Sequence, residues 1–381
     1  MNAPLSPVVV PLLVVDDLQP ELVAPDSPVP RWPTERPVPS RPPSAFEAIR
    51  ARLQVWEGKY EKAKRPATVK ALRADWNEFK AWCARAGAWP LPATPDTLLR
   101  YLTDQVVLGK KASTLTRYVN SIRTLHKAAG LPCPTSSTDW ALDWEGVLNL
   151  LSERDQVVPK QATALKSPHV IQILDSLGES LLDKRDAVLI AMASDTLCRE
   201  SELAQLRMED LMHGANGWAV RLRRSKTDRH GTSNLGAERH VSDETKAALD
   251  AWCAASGITT GYIFVPLGKK RHVDPTAIPR DRPLRAKEVA RIIRTRAVQA
   301  GVADGVTMTG HSARVGSAVE MIEHGATVQD VQFAGGWLGT QMVLKYAQTA
   351  LAGQGAMATM RAKQRSKQRT RSEQLSLVTG D

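Results

Sequence analysis

From residue 46 onward the apolar residues of this chain recur at steps of three and four. Only in the second half does that spacing give way to alternation. A period near 3.6 commits a segment to a helix with one buried face, and a period of two commits it to a strand. Val69, Leu72, Trp76, Phe79 and Trp82 define one such helix face. Pro90, Pro92 and Pro95 break the chain after it, and Asp96 is the expected cap of a shorter helix carrying Leu98, Leu99, Leu102 and Val106. A third helix carries Leu115, Val119, Ile122 and Leu125 and ends at Gly130. No alternating stretch interrupts them, so residues 45–151 are predicted to form a small helical bundle.

The polar run 152–166, with Pro159 inside it, reads as an interdomain linker. The region beyond it, 167–362, is mixed. Val170, Ile173, Leu174 and Leu177 begin a helix, and 187–194 is a buried helix leading into 195–206. Trp218, Val220 and Leu222 then alternate with Ala219, Arg221 and Arg223, a strand pattern. A polar turn over 225–236 leads to a second short strand at Glu238–Val241, and 263–265 is a further strand candidate. Helices resume near Ala286. The expected class is mainly α with a small antiparallel β-sheet, in two domains.

Charge and composition narrow the function. Half of the 24 prolines lie in the first 43 residues, and residues 1–44 are predicted to be a disordered arm. That arm holds three basic and five acidic residues, whereas the whole chain has 51 Lys plus Arg against 40 Asp plus Glu. The whole chain's net charge is +11, so without the arm 48 basic against 35 acidic residues leave +13 on the folded part, which favours a polyanionic partner such as nucleic acid. Arg361, Lys363, Arg365, Lys367, Arg369 and Arg371 suggest a mobile basic tail over 363–381. Lys62, Lys64, Arg65, Lys70 and Arg73 surround the start of the first long helix, and Lys110, Lys111 and Arg117 that of the third. Helix starts suit phosphate, although solvated charged faces give the same pattern. Cys83, Cys133, Cys198 and Cys253 stand singly, which argues against a zinc site or a disulfide scaffold and fits a reducing, cytoplasmic compartment. No apolar run approaches the roughly 18 residues of a membrane span. The apolar stretch 8–15 is broken by Pro11 and lacks a preceding basic residue, so it makes a poor signal peptide.

Four segments of the second region look chemical when taken together. Arg199 opens Arg-Glu-Ser-Glu-Leu, with Glu202 three residues on and on the same helix face. Lys226 sits in Ser-Lys-Thr-Asp at the hairpin turn. His311 and Arg314 lie three apart in Gly-His-Ser-Ala-Arg at a helix start. Trp337 follows Ala-Gly-Gly, and Tyr346 comes nine residues later in Leu-Lys-Tyr-Ala. Each alone is ordinary: a surface ion pair, a solvated lysine, a cap, a core tyrosine. Their order and spacing jointly are not.

In that order and spacing the chain resembles the tyrosine recombinases, or phage integrases. The runs 310–316 and 334–337, the Gly355-Ala356-Met357 triplet, Ala81-Trp82-Cys83, and the stretch from Leu125-His126-Lys127 to Gly130-Leu131-Pro132 carry the likeness, which spans about 46–360. The resemblance implies two domains closing as a C-shaped clamp on duplex DNA, with the catalytic domain at 167–362. It implies cleavage by Tyr346 as nucleophile through a 3′-phosphotyrosine link, with strand exchange passing through a Holliday junction. Arg199 and Arg314 would clamp the phosphate and Lys226 would protonate the leaving oxygen. His311 would bond the phosphate or accept the tyrosine proton, Trp337 would donate to an oxygen, and Glu202 would orient the arginines. No cofactor and no metal is expected, since no carboxylate cluster suits Mg²⁺.

By register within the family, the base-facing candidates are Lys70, Ala71, Ser113, Thr116 and Arg117 in the first domain and Arg285, Lys287 and Arg291 in the second. The implied partner is DNA with an inverted-repeat site, bound by a homotetramer across two sites without accessory proteins. A helix at about 350–362 would dock into a neighbouring protomer through Leu351, Met357 and Met360. A type IB topoisomerase, a telomere resolvase, or a non-catalytic DNA-binding protein on the same scaffold are the competing readings.

Overall fold

The computed structural model describes residues 45–157, 161–223, 237–267, 278–355, 357–358 and 360–368. The expected arm at 1–44 and most of the hairpin turn lie outside them, as does the final stretch 369–381. The chain divides into two compact units, Met1–Lys160 and Gln161–Asp381.

The first unit is built from α1 (Ala45–Ala63), α2 (Pro66–Ala86), α3 (Pro95–Val107), α4 (Ala112–Ala129) and α5 (Trp140–Glu153). The five apolar positions of α2 that share one face are all buried, as are Leu115, Val119, Ile122 and Leu125 of α4. Trp76, Phe79, Leu98, Tyr101 and Leu102 fill the centre, and Tyr101 meets Phe79 edge-on at 5.0 Å. Helices α2 and α4 each stop where a glycine, Gly87 or Gly130, enters the left-handed region that ordinary residues avoid. The cap of α3 is Thr94, whose Oγ1 accepts from Thr97 N at 3.1 Å, and not Asp96. Asp96 sits inside the first turn, where an acidic group favours the helix dipole. His126 lies fully inside α4's packed face, with Nε2 accepting from Ala93 N at 2.8 Å and Nδ1 donating to Ile122 O at 2.8 Å.

The second unit contains α6 (Ser167–Asp175), α7 (Leu181–Thr196), α8 (Glu200–Leu203), β1 (Leu211–Gly214), β2 (Gly217–Arg221) and β3 (Glu238–Val241). It continues through α9 (Asp243–Ser256), α10 (Ala286–Gln299), α11 (Ser312–Glu323), α12 (Val328–Gly335), α13 (Gln341–Tyr346) and α14 (Gln348–Gln354). α7 is apolar on nearly every side because it runs through the core, with Val188, Leu189, Ile190 and Met192 all inaccessible. The sheet is antiparallel in the order β1-β2-β3. Its first strand was not anticipated. Leu211, Met212 and His213 do not alternate, but Asn216-Gly217 is a hairpin signal, and Gly214 pairs with Gly217 across it. The segment 263–265 is no strand. Tyr262 makes one isolated bridge to Arg207, and Ile263, Phe264 and Val265 are apolar because they are buried in the core.

The expected linker 152–166 also needs correction at both ends. α5 runs to Glu153, and 161–166 is packed into the second unit. Leu165 is inaccessible, and its N–H donates to Ser312 O at 2.9 Å. At the other end residues 360–368 are helical, so the basic stretch expected as tail from 363 begins as exposed helix. No helix among the described residues is long and apolar enough to cross a membrane.

Candidate active site

At the end of α7 the chain turns through Leu197, whose φ of 49° is the left-handed conformation that a branched side chain rarely adopts. That turn aims the Leu197 carbonyl at Arg314, whose Nη1 donates to it. Two residues on, Arg199 starts α8. Its N–H donates to Glu202 Oε2 at 2.9 Å and its Nη1 to Glu202 Oε1 at 2.6 Å. One buried carboxylate thus fixes both the backbone and the head of Arg199.

Arg314 stands in the first turn of α11 and is 2 % exposed. Besides Leu197 it donates through Nη2 to Gly335 O at 2.9 Å, and its guanidinium carbon lies 4.0 Å from the centre of the Trp337 ring. Burial, followed by the neighbouring charge of Arg199, brings its pKa down to about 10, so it remains a cation at neutral pH. Burial likewise pushes the adjacent Cys198 thiol up to about 11, which leaves it a packed, protonated thiol.

The Ala-Gly-Gly-Trp run closes the site. A side chain at Gly335 would collide with the Trp337 ring, and one at Gly336 would fall on the guanidinium of Arg239. Trp337 is therefore folded back under α12, and its ring meets Tyr346 at 5.9 Å and 64°, edge to face. Tyr346 is the last residue of α13 and half-buried. Its carbonyl accepts from Gln161 Nε2 at 3.1 Å.

The structure thus brings Arg199, Glu202, Arg314, Trp337 and Tyr346 into one connected cluster. His311 adjoins it on the chain, at the N-cap of α11, with its backbone N–H on Thr309 Oγ1 at 3.1 Å and its side chain exposed. Lys226 falls outside the described residues. A set of guanidiniums around one carboxylate, with an aromatic hydroxyl at its edge, suits an anionic substrate and a nucleophilic oxygen.

Residues 164–352 match the phage integrase family. The chain belongs to that family. It is a tyrosine recombinase, an enzyme of site-specific DNA recombination. Recombinase cre of Escherichia phage P1 is 25 % identical over 303 residues, covering 77 % of this chain and 87 % of the relative. An integrase/recombinase xerD homolog of Selenomonas ruminantium is 29 % identical over 272 residues, covering 69 % and 76 %. The fold is shared with the Tn1549 transposon integrase in complex with transposon right end DNA, at a TM-score of 0.56 and 12 % identity over 84 % of this chain and 98 % of that one. XerH site-specific recombinase bound to palindromic difH substrate matches at a TM-score of 0.55 and 12 % identity, over 84 % and 89 %.

The DNA-reading candidates of this recombinase sit on three helices. Lys70 is exposed and Ala71 half-buried on α2, and Ser113, Thr116 and Arg117 are exposed on α4. Two of these are already engaged: Thr116 Oγ1 donates to Ala112 O at 2.9 Å, and Arg117 pairs with the buried Asp75. Arg285, Lys287 and Arg291 are exposed along the start of α10. Sequence reasoning passed over Arg239. Its signal was present, because alternation along β3 places Arg239 inward with Val241 while Glu238 and His240 face out.

Proposed function

We propose that this recombinase cleaves and rejoins DNA at paired inverted-repeat sites through a covalent link to Tyr346. The phenolic oxygen attacks the scissile phosphorus. A tyrosyl P–O bond forms at the 3′ end, and the bond to the 5′ oxygen breaks. The phenolic proton passes to His311, and the leaving 5′ oxygen takes one from Lys226. Reversal by an incoming 5′-hydroxyl restores the backbone, so no ATP is consumed.

The observation that carries this reading is the continuous contact from Arg314 through Trp337 to Tyr346. It ties the cation that would bind the phosphate to the residue that would attack it. Tyrosine's ordinary pKa is near 10, so the phenol needs positioning and a charge-matched target to act at neutral pH. Arg199 and Arg314 supply permanent charge and paired donors to the phosphate oxygens. Trp337 contributes an indole N–H, and Glu202 acts as a positioning residue through Arg199.

Assembly follows the same reading. Met357 and Met360 are 65 % and 42 % exposed, and so are Phe333 of α12, Leu344 of α13 and Leu338 in the turn between those two helices. Such a patch fits docking in trans within a homotetramer. Leu351, the third contact expected of this helix, is half-buried and packs against the cluster of its own unit that includes Val343 and Trp337.

The test is covalent capture. The protein is incubated in EDTA, without ATP, with nicked DNA fragments from its own replicon, and the linked DNA ends are sequenced. One enriched inverted repeat, linked at a 3′ end and lost in Tyr346→Phe, is the expected result. Scattered adducts would favour a topoisomerase, and binding without any adduct would favour a DNA-binding protein.

A further inference from the structure

Three consecutive residues of one turn each touch a guanidinium. Gly335 O accepts from Arg314 Nη2, Gly336 lies against the head of Arg239, and the ring of Trp337 lies beneath Arg314. Arg239 therefore belongs to the same wall as Arg314, although it arrives from the sheet. It stands opposite Val220 in the β2–β3 register, on the face that turns away from solvent. Gly336 has a φ of 57° and no side chain, and both features are needed for the arginine head to rest there.

Arg239 is 4 % exposed, yet it makes a single hydrogen bond among the described residues, from Nη1 to Glu238 O at 3.4 Å. Its Nε is buried with no acceptor. A buried guanidinium left this open is strongly unfavourable unless an anion completes it. The one carboxylate of the cluster, Glu202, is spent on Arg199. Arg199, Arg239 and Arg314 against Glu202 leave two positive charges in excess. A phosphodiester under attack, whose transition state gathers negative charge on its non-bridging oxygens, matches that excess.

We propose that Arg239 is a third guanidinium of the phosphate site, donating through its Nε edge to a non-bridging oxygen of the scissile phosphodiester. The inference rests on the recombinase reading of this site. It makes Arg239 a catalytic residue, and it gives Gly336 a purpose, which is to let a third cation reach the phosphate from β3.

The experiment compares wild type, Arg239→Met and Arg239→Lys on a nicked duplex carrying the captured cleavage site. The scissile linkage is either a phosphodiester or an uncharged methylphosphonate. Removing a buried, uncompensated charge costs no stability, so Arg239→Met should melt at or above the wild-type temperature and bind the duplex normally. Its adduct formation on the phosphodiester should fall at least 100-fold, and Arg239→Lys should fall between. On the methylphosphonate the loss should shrink below tenfold, because the charge being matched is gone. Cleavage by Arg239→Met within threefold of wild type would overturn the proposal. So would a lower melting temperature with an equal loss on both linkages, which marks a structural role. Absence of any Tyr346-dependent adduct in the wild type would overturn the recombinase reading and this inference with it.

Discussion

The guanidinium carbon of Arg314 stands 4.0 Å from the centre of the Trp337 ring, and the same arginine donates to carbonyls on both sides of it, at Leu197 and Gly335. It is held by a cation–π contact and two hydrogen bonds at once. Lysine has neither the plane nor the fork.

Arg314→Lys is therefore expected to lose cleavage by roughly two to three powers of ten, the worth of one preorganised donor in a dry site. DNA binding should change little, since binding draws on many phosphate contacts. Single-turnover adduct formation beside a binding isotherm checks this. A lysine variant cleaving within tenfold of wild type would show that the contact with Trp337 is dispensable.

Arg117 and Lys70 look alike in the sequence and differ in the structure. Arg117 Nη1 pairs with Asp75, which is 2 % exposed and also accepts from Ser121 Oγ at 2.7 Å. Lys70 is simply exposed. Arg117→Ala strips a buried carboxylate of its cation, so it should cost about 1–2 kcal/mol of stability as well as DNA affinity. Lys70→Ala should leave stability unchanged and reduce the slope of log K against log salt by about one. Urea melts and salt-dependent titrations separate the two. Equal stabilities would mean that the Asp75 pair contributes nothing.

How much was legible in advance follows from which residues answer to local rules. The helix faces of α2, α3 and α4 were readable because each buries one stripe, and the same residues that show the period form the core. The cluster from Arg199 to Tyr346 was readable through spacing within short runs. For Arg239 the alternation of β3 showed only that it faces inward; that its head lies against Gly336, 97 residues away, answers to no local rule. Leu165 was hidden likewise. A side chain at Gly316 would strike the Leu165 backbone, so the glycine that ends the Gly-His-Ser-Ala-Arg-Val-Gly run makes room for a segment that looked like linker. Strand β1 escaped because its signal lies in a two-residue turn rather than in alternation.

His126 predicts a pH response of the first unit. Burial lowers its pKa in the folded state, and both ring nitrogens serve the neutral form. The unfolded chain binds the proton more readily, near the ordinary value of about 6.5. The stability His126 contributes is thus complete above that value and is lost as pH falls below it. Urea midpoints at pH 7.5 and pH 5.0 should show a drop for the wild type. His126→Leu should be less stable at pH 7.5, with Ala93 N–H left unpaired, and should lose less on acidification. An equal drop in both proteins would place the titrating group elsewhere.

If the proposed assembly holds, the chain beyond Gly355 is the segment expected to join one protomer to the next. Up to that point α14 is tied to its own unit, with Leu351 packed among Val343, Ala347 and Trp337. Past it, Met357 and Met360 are exposed on a helix whose other described side chains are mostly charged or polar. Two bare methionines on a basic helix stabilise nothing at home, whereas a partner's apolar pocket would gain from both. Ending the chain after Gly355 should therefore leave the melting temperature in place and abolish recombination. Truncation also removes Arg361, Lys363, Arg365 and Lys367, which would weaken DNA binding on charge alone. Met357→Ser with Met360→Ser keeps those charges. The double variant should bind a single site and form the Tyr346 adduct on a nicked duplex, yet fail to pair two sites in a native gel. If it pairs sites and recombines at the wild-type rate, this helix does not hold the assembly together.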